Sequence, residues 1–458
     1  MRLQLPVQSN RSDIAVIVFT REPEAGMTKT RMMPYYSASE CAELHKCMLK
    51  DIADELNKTD ADIIVAYTGG KPRFLKSVFG HCIFGRRRTF IEQRGENIGA
   101  RMEYAVSDVL SMGYHSVVLI GTDIPEISAE SIDAAFDLLA DNDIALGPTE
   151  DGGYYLIGMN ERHHEAFDVK LYGVSSVFNE TAASIRNAGL SIGIADKYSD
   201  IDVPQDAAAF RSRCRNCRHL RKSYTGRYLA DTAKVSVIIP VYNESAAIGK
   251  MMEQLLPYKN KCEIIFVDGG STDDTVSRIG SKYRVISSEK GRGNQLNRGA
   301  EASSGDILFF LHCDSIVPQD FLSEIRRCMA HSEYGCFGVK FPSKNIFMLT
   351  NRIISNNRAF RRGYPFGDQG IFIDRDLFFS SGMFPEIPVM EDYEFSIRLK
   401  NAGKMPAKTR KRILTSDRRY EKGTIGILRT ERSMYRLRKK YRAGASIEEV
   451  YSQYRDIR

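Results

Sequence analysis

"DILFFLHCDS", residues 306–315, decides the fold. Residues 307–311 are apolar without interruption, and His312, Cys313 and Asp314 follow at once. A short continuous apolar run closed by polar residues is the pattern of a strand buried on both faces, as in a parallel sheet. The polar trio has three readings: a Cys–His nucleophilic pair, a zinc corner, or a carboxylate holding a metal ion bound to a phosphorylated substrate. Neighbouring side chains on a strand point to opposite faces, so His312 and Cys313 turn apart. A zinc site needs four ligands, and the run supplies too few. Cys313 is then expected to pack as a small hydrophobe, with Asp314 delivered to the sheet edge.

Working outward, the same plan occurs twice. Buried-strand runs stand at "IAVIVFT" (14–20), "ADIIVAYT" (61–68), "HSVVLIGTD" (115–123) and "DIALGP" (143–148). A second set is "VSVIIPVYNE" (235–244), "CEIIFVDGG" (262–270), "RVISS" (284–288) and the run quoted first. Helical patterns alternate with them, such as "SASECAELHKCMLKDIADEL" (37–56) with its capping serine, and "AAIGKMMEQLL" (246–256). Strands alternating with helices imply a parallel sheet covered on both faces. The expectation is two α/β domains in tandem: residues 1–212, a basic linker over 213–233, and residues 234–458 ending in a basic helical tail.

The bulk numbers agree with this. A chain of 458 residues is long enough for two or three domains. Nine scattered cysteines suit reduced thiols and a cytoplasmic location better than a disulfide framework. No stretch approaches the roughly 18–20 apolar residues of a membrane span. The start "MRLQLPVQSNRSD" lacks the apolar core of a signal peptide. The net charge of +7 allows anionic substrates or a membrane surface, and simple solubility explains it equally well. The linker "RSRCRNCRHLRKSYTGRYLADTA" (211–233) has Cys214 and Cys217 at C-x-x-C spacing with His219 nearby, but no second ligand pair follows, so a solvated connector is expected. The tail (430–458) is basic with apolar residues at helical spacing. It is expected to dock on the second domain, with peripheral contact to an anionic membrane as the other reading. No nucleic-acid partner is expected.

Open α/β sheets bind ligands beyond the carboxyl ends of their strands. In the second half that rule selects Pro240, Asn243 and Glu244, then Asp268 to Asp273, then His312 and Asp314. Helix capping explains Ser271 and Asp273; it does not explain Asp268 and Asp314 at strand ends.

These residues carry a resemblance. "VSVIIPVYNE", "IIFVDGGSTDDT", "GRGNQLNRGA", "GDILFFLHCDS" and "MEDYEFSIRL" stand in the order seen in family 2 glycosyltransferases of the nucleotide-diphospho-sugar transferase (GT-A-like, Rossmann-like) fold. "DGGSTDDT", "LHCD" and "FGDQGIF" look closest to the arsenosugar-biosynthesis and selenodomain-associated transferase 2 group. The resemblance spans roughly residues 235–420 and implies an inverting transfer of a sugar from a nucleotide-diphosphate donor to an acceptor hydroxyl. It implies a Mn²⁺ or Mg²⁺ cofactor held by Asp314, with His312 where the family's D-x-D element has its first carboxylate; an imidazole there favours manganese. It implies donor contacts at Pro240, Asn243, Glu244, Asp268, Gly269 and Asn297. Arg292 either meets a phosphate or is a surface arginine. Asp392 would be the general base, supported by Glu391. Gly367, Asp368 and Gln369 would shape the acceptor side, and Arg418 and Arg419 would approach the diphosphate. The chain has no Trp, so the Q-x-x-R-W signature of processive synthases is absent and single-sugar transfer is expected.

In the first half, "REPEAGMTKTR" (21–31) invites a P-loop reading, but that loop needs Gly directly before Lys and Thr28 stands there. A glycine-containing loop with Lys29 and Arg31 after a strand can still cradle phosphates. "GMTKTR", "IGTDIP", "LGPTEDGGYYLIGM" and "SDIDVPQD" resemble the selenodomain-associated transferase 1 group, related to the nucleotidyltransferases of coenzyme F420 and molybdenum-cofactor synthesis. That resemblance implies a nucleoside triphosphate substrate, metal ligation by Asp123 and Asp202, charge stabilisation by Lys29 and Arg31, and binding loops at Gly26 and at Asp151, Gly152 and Gly153. Taken together, a bifunctional transferase is expected. The alternatives are that both domains are glycosyltransferases, or that the first is a non-catalytic regulatory or assembly module.

Overall fold

The computed structural model describes residues 13–81, 86–169, 171–343, 345–416 and 424–455. Arg418 and Arg419 lie outside the described residues. The chain divides into two compact units, Met1–Leu229 and Ala230–Arg458.

The first unit holds β1 (Ile14–Arg21), β2 (Asp62–Thr68), β3 (Arg88–Glu92), β4 (Ser116–Ile120), β5 (Ile144–Pro148), β6 (Tyr154–Met159) and β7 (Ile192–Ile194). They form one sheet in the order β3-β2-β1-β4-β6-β5-β7, with β6 antiparallel to both of its neighbours and every other pairing parallel. The second unit holds β8 (Val235–Val241), β9 (Glu263–Asp268), β10 (Arg284–Ser287), β11 (Ile307–Phe310), β12 (Tyr334–Lys340), β13 (Ile371–Asp374) and β14 (Ala407–Leu414). Its order is β10-β9-β8-β11-β13-β12-β14, again with one strand, β13, antiparallel to both neighbours. The two wiring diagrams are identical. The α/β expectation of tandem, mostly parallel sheets is met in each unit.

The pleat sorts each central strand between two cores. In β1, Val16 and Val18 enter one cluster and Ala15 and Ile17 the other. In β11, Ile307 and Phe309 face one side while Leu308 and Phe310 face the other. Extending that alternation puts Leu311 and Cys313 in the first of these cores, and Cys313 is 6% exposed there. It packs as the small hydrophobe expected of it. The helix Ala38–Leu56 starts at Ser37 through a capping box with Glu40, as its sequence announced.

Residues 213–233, read from composition as a solvated linker, are instead helical over most of their length. Cys214 and Leu229 are buried beside Met32, Tyr36, Leu44 and Phe210. The Asp51 carboxylate accepts from the N–H groups of Tyr224 and Thr225, at 2.7 and 2.9 Å, and so caps the helix Tyr224–Thr232. Basic composition described the outer face of this segment and missed its apolar one.

The basic tail forms the helices Thr424–Arg442 and Ile447–Arg455. Leu437 and Val450 bury against Val389, Met390 and Tyr393, and Tyr441 Oη donates to Glu394 Oε2 at 2.8 Å. The tail docks on the second unit. No helix among the described residues is long and apolar enough to cross a membrane.

Candidate functional site

In both sheets the strand order reverses between the first strand and the fourth, β1 with β4 and β8 with β11. Ligand crevices of open sheets lie beyond the carboxyl ends at that switch point. Asp123 follows β4 and Asp314 follows β11, so each unit sets an aspartate at its own crevice.

In the second unit the loops after β8 and β9 are laced together. Asn243, in the left-handed region at φ 52°, accepts through Oδ1 from the Thr272 N–H at 2.8 Å, and its own N–H donates to Ser271 Oγ at 3.0 Å. The Glu244 N–H donates to Thr275 Oγ1 at 2.8 Å. Gln295, which sequence reasoning passed over, sutures the two strand ends by donating to the carbonyls of Val241 and Val267, each at 2.8 Å. The Gly269 N–H donates to the Val241 carbonyl at 3.0 Å. Pro240 sits half-buried within β8. The Asp268 carboxylate is buried and engaged within its own loop by Ser271 Oγ at 2.6 Å and by the N–H groups of Gly270 and Ser271 at 3.1 Å.

Across the crevice stand His312 and Asp314 after β11, the turn Gly367–Gln369, and the start of the helix Glu391–Asn401. Asp392 Oδ2 accepts from the Gly367 N–H at 2.7 Å. A Cβ on Gly367 would lie 2.7 Å from His312 Nε2 and 3.4 Å from Asp392 Oδ2, so only glycine lets the three groups converge. Met390, just before this helix, adopts φ 69°, a left-handed conformation that costs a residue with a Cβ about 1–2 kcal/mol. The acidic pair Glu391–Asp392 is aimed by that strained turn. Arg292 Nη1 reaches Glu391 Oε1 at 3.8 Å. Burial alone would lower the Arg292 pKa, but Glu391, Asp392, Tyr454 and Asp314 outweigh it and raise it. One cation therefore sits among the carboxylates drawn from two elements.

Two expected site residues are bonded within the protein. The Asn297 carboxamide is spent on the Phe384 backbone, donating to its carbonyl at 2.8 Å and accepting its N–H at 3.0 Å. Gln369 is fully buried, and its Oε1 accepts from Arg358 Nη2 and the Phe366 N–H, both at 3.2 Å. Both side chains tie together loops of the second unit. Asp368 is half-buried beside Gln369.

In the first unit a cavity of about 610 Å³ opens at the switch point, lined by Arg21, Lys29, Arg31, His45, Arg101 and Asp123 among others. Lys29 sits at φ 49°, and this left-handed turn sends its side chain, 4% exposed, inward. Its Nζ lies 2.5 Å from Asp123 Oδ1 and 2.9 Å from Asp202 Oδ1, and it donates to the Ile201 carbonyl at 2.6 Å. The Ile201 N–H in turn donates to the Asp123 carbonyl at 2.9 Å, which brings the two aspartates together. Arg31 Nη1 stands 3.5 Å from Asp202 Oδ2. Burial would depress the Lys29 pKa, but Asp123 and Asp202 reverse this and raise it. Burial would raise the Asp123 pKa, and the same ammonium lowers it. The two carboxylates expected to share a divalent cation thus share Lys29.

His45 joins this site without any signal in the sequence, since it lies mid-helix. Its Nδ1 is 2.8 Å from Thr28 Oγ1, and its Nε2 is 3.4 Å from both Thr20 Oγ1 and Thr122 Oγ1. Burial pushes its pKa down to about 4, so the ring is neutral at pH 7. Asp151 Oδ1 accepts from Thr149 Oγ1 at 2.5 Å and from the Gly153 N–H at 3.1 Å. Gly152, at φ 90°, packs so closely that a Cβ would lie 2.0 Å from the Ser175 carbonyl oxygen. Asp200, also unforeseen, is raised to about 6 by burial and by its neighbours Asp151, Asp202 and Asp123. Gly26 lies in an exposed turn at φ 81°. Among the described residues no group of three or more His, Cys, Asp or Glu side chains is disposed to hold a metal ion.

Known proteins match the two units separately. Residues 52–173 match the model of DUF2064, an uncharacterized protein family conserved in bacteria, and residues 236–384 match glycosyl transferase family 2. Over 96 residues, 18% of this chain and 30% of the relative, the sequence is 38% identical to glucosyl-3-phosphoglycerate synthase of Mycobacterium tuberculosis. The chain therefore spans less than a third of that relative's length. Over 212 residues, 44% of this chain and 84% of the relative, it is 26% identical to 2-phospho-L-lactate guanylyltransferase of Methanosphaera stadtmanae. The crystal structure of the mycobacterial synthase with Mn²⁺, UDP-glucose and phosphoglyceric acid is similar over 47% of this chain and 81% of that one, at 21% identity and a TM-score of 0.35. The chain thus matches DUF2064 and is related in sequence to a guanylyltransferase in its first half, and it matches glycosyl transferase family 2 in its second.

Proposed function

We propose that the second unit is an inverting, metal-dependent glycosyltransferase, moving one sugar from a nucleotide-diphosphate donor to an acceptor hydroxyl. The observation that carries this reading is the approach of His312 and Asp392 to Gly367, with Arg292 among the carboxylates of Glu391, Asp392 and Asp314. Asp392 keeps Oδ1 for the acceptor while Oδ2 is fixed by the Gly367 N–H. A base positioned in this way supplies about 10²–10⁴-fold. Arg292 stands ready for the donor phosphates, and the laced loops after β8 and β9 frame the nucleotide. Mg²⁺ and Mn²⁺ commonly take one or two protein ligands and complete their shell with substrate phosphates and water. Asp314 with His312 fits that requirement, and an ion there would neutralise the departing diphosphate. An imidazole ligand favours manganese.

For the first unit the related guanylyltransferase supports a nucleotidyltransferase that makes or binds an activated nucleotide intermediate in the cytoplasm, with Lys29, Arg31 and the Asp151–Gly153 loop around a triphosphate. A metal between Asp123 and Asp202 does not fit the side chains as they stand, because Lys29 Nζ lies between them. That same ion pair favours a second reading, a binding module without turnover.

The test uses the full chain with a panel of sugar nucleotides and acceptors, in Mn²⁺, in Mg²⁺ and in EDTA. Nucleoside diphosphate release that stops in EDTA, with an inverted anomeric centre in the product, is expected. Turnover unaffected by EDTA, or a product of retained configuration, overturns the reading of the second unit. Pyrophosphate release from nucleoside triphosphates and phosphorylated sugars by the Asp392→Asn chain reports on the first unit alone; silence there selects the binding module.

A further inference from the structure

The helix Ile346–Arg362 is apolar on its solvent face as well as on its buried one. Its buried face carries Met348, Asn351, Ser355 and Ala359. Its solvent face carries Ile346, Leu349, Ile353 and Ile354, which are 69%, 40%, 56% and 51% exposed. Positions 346, 349 and 353 follow the spacing of one helical face, and 354 lies beside them. A helix at the surface of a soluble protein normally turns charged and polar residues to that side. This is a well-formed helix, not a frayed one: Asn345 Oδ1 caps it from the Phe347 N–H at 2.9 Å, and Ser355 Oγ bonds Asn351 on the inner face at 3.1 Å. A contiguous apolar patch of this kind marks an interaction surface.

Charge says what it meets. The helix contains no acidic residue and ends in the exposed Arg361 and Arg362. The helix Thr424–Arg442 packs beside it and exposes Arg429, Arg432, Arg436 and Lys439, with Leu428 and Tyr435 among them. Leu437 and Val450 of the tail are buried against the second unit, so the apolar side chains that the tail leaves exposed are those such as Leu428 and Tyr435 beside this patch. A twofold contact with another copy would set these cations against their own images, a like-charge arrangement.

We propose that this face seats the second unit on an anionic phospholipid surface, with Ile346, Leu349, Ile353 and Ile354 entering the acyl boundary and the flanking arginines meeting headgroup phosphates. The occupant is a lipid surface that the protein lies on, not one that it spans. This inference is independent of the reaction assigned to the chain.

The test is co-sedimentation of the full-length chain with vesicles of phosphatidylcholine mixed with phosphatidylglycerol, and with phosphatidylcholine alone. Binding to the mixed vesicles that weakens with added salt is expected, with little binding to the neutral ones. Ile346→Glu with Ile353→Glu should weaken binding about tenfold or more, and Arg432→Glu with Arg436→Glu should do the same. Both pairs lie on exposed faces, so their thermal midpoints should match the parent. Equal binding to neutral and anionic vesicles overturns the proposal, as does unchanged binding by either double variant. So does a parent that ignores vesicles and runs as a dimer, with the isoleucine variant running as a monomer, since that assigns the face to a second copy.

Discussion

Lys29 Nζ stands 2.5 Å from Asp123 Oδ1, across 94 residues of sequence, and takes the position between Asp123 and Asp202 that a divalent cation was expected to fill. Replacing Lys29 with Met leaves two neighbouring carboxylates without their common counter-charge. Both are partly exposed, so the cost should be about 1–3 kcal/mol, below the range for a fully buried pair. The carboxylate of Asp123 has a lowered pKa in the folded chain, so its contribution is present above the ordinary value of 3.8 and lost as pH falls through the lowered one. The ammonium has a raised pKa, so its contribution is present below 10.5 and lost as pH rises past the raised one. Urea unfolding across pH should therefore show the gap between parent and variant widest between these limits.

Asp392→Asn should reduce sugar transfer about 10²–10⁴-fold while leaving donor affinity unchanged. The carboxamide oxygen can still accept the Gly367 N–H, so the loop keeps its shape. Initial rates compared with calorimetric donor binding check this; retained turnover removes Asp392 from the role of base.

Gly367→Ala introduces a methyl group 2.7 Å from His312 Nε2. Either the imidazole or the turn has to move. A stability loss of about 1–3 kcal/mol is expected from overpacking, with a fall in kcat larger than any change in donor affinity. Thermal melting and steady-state kinetics report the two effects separately.

Asn297→Ala should unfold the chain at lower denaturant by about 1–3 kcal/mol, because the Phe384 N–H and carbonyl both lose a buried partner. Donor binding by the protein that remains folded should be intact. A selective loss of donor affinity would return Asn297 to the nucleotide loop.

Burial, with the neighbouring Asp151, Asp202 and Asp123, raises the Asp200 pKa to about 6. A carboxyl group with a raised pKa binds its proton more tightly folded than unfolded, so stability falls as pH climbs from 3.8 to about 6. Asp200→Asn should remove that slope, which denaturation at pH 5 and pH 7 measures directly.

Eight of the strands were legible, seven as buried runs and β10 as a short partly buried run around the β-branched pair Val285–Ile286. The other six were not. β14, "AKTRKRIL", carries Lys408, Arg410, Lys411 and Arg412, and it survives at a sheet edge where charged side chains reach water. β12, "YGCFGVK", contains two glycines that weaken any strand signal, and β6 follows directly on the turn at Gly152 and Gly153. The strand-end rule found Asp123 and Asp314 because the position of each is fixed by its own strand. It could not find His45, whose threonine partners lie on three separate segments, nor foresee that Lys29 would reach both aspartates. Such pairings depend on how distant segments meet, and no local window contains them. The apolar face of residues 213–233 was missed for a different reason: net basicity hides Cys214 and Leu229, which are buried in the first unit.

The shared wiring of the two sheets bears on how this chain is made. Adjacent modules with one topology can exchange equivalent strands while they fold, and multidomain chains misassemble in this way. β1 reads "IAVIVFTR" and β8 reads "VSVIIPV", alike in slot but different in the side chains that must interlock with β4 or β11. Packing at close to crystal density makes each slot selective, so the unlike side chains of β1 and β8 disfavour such an exchange.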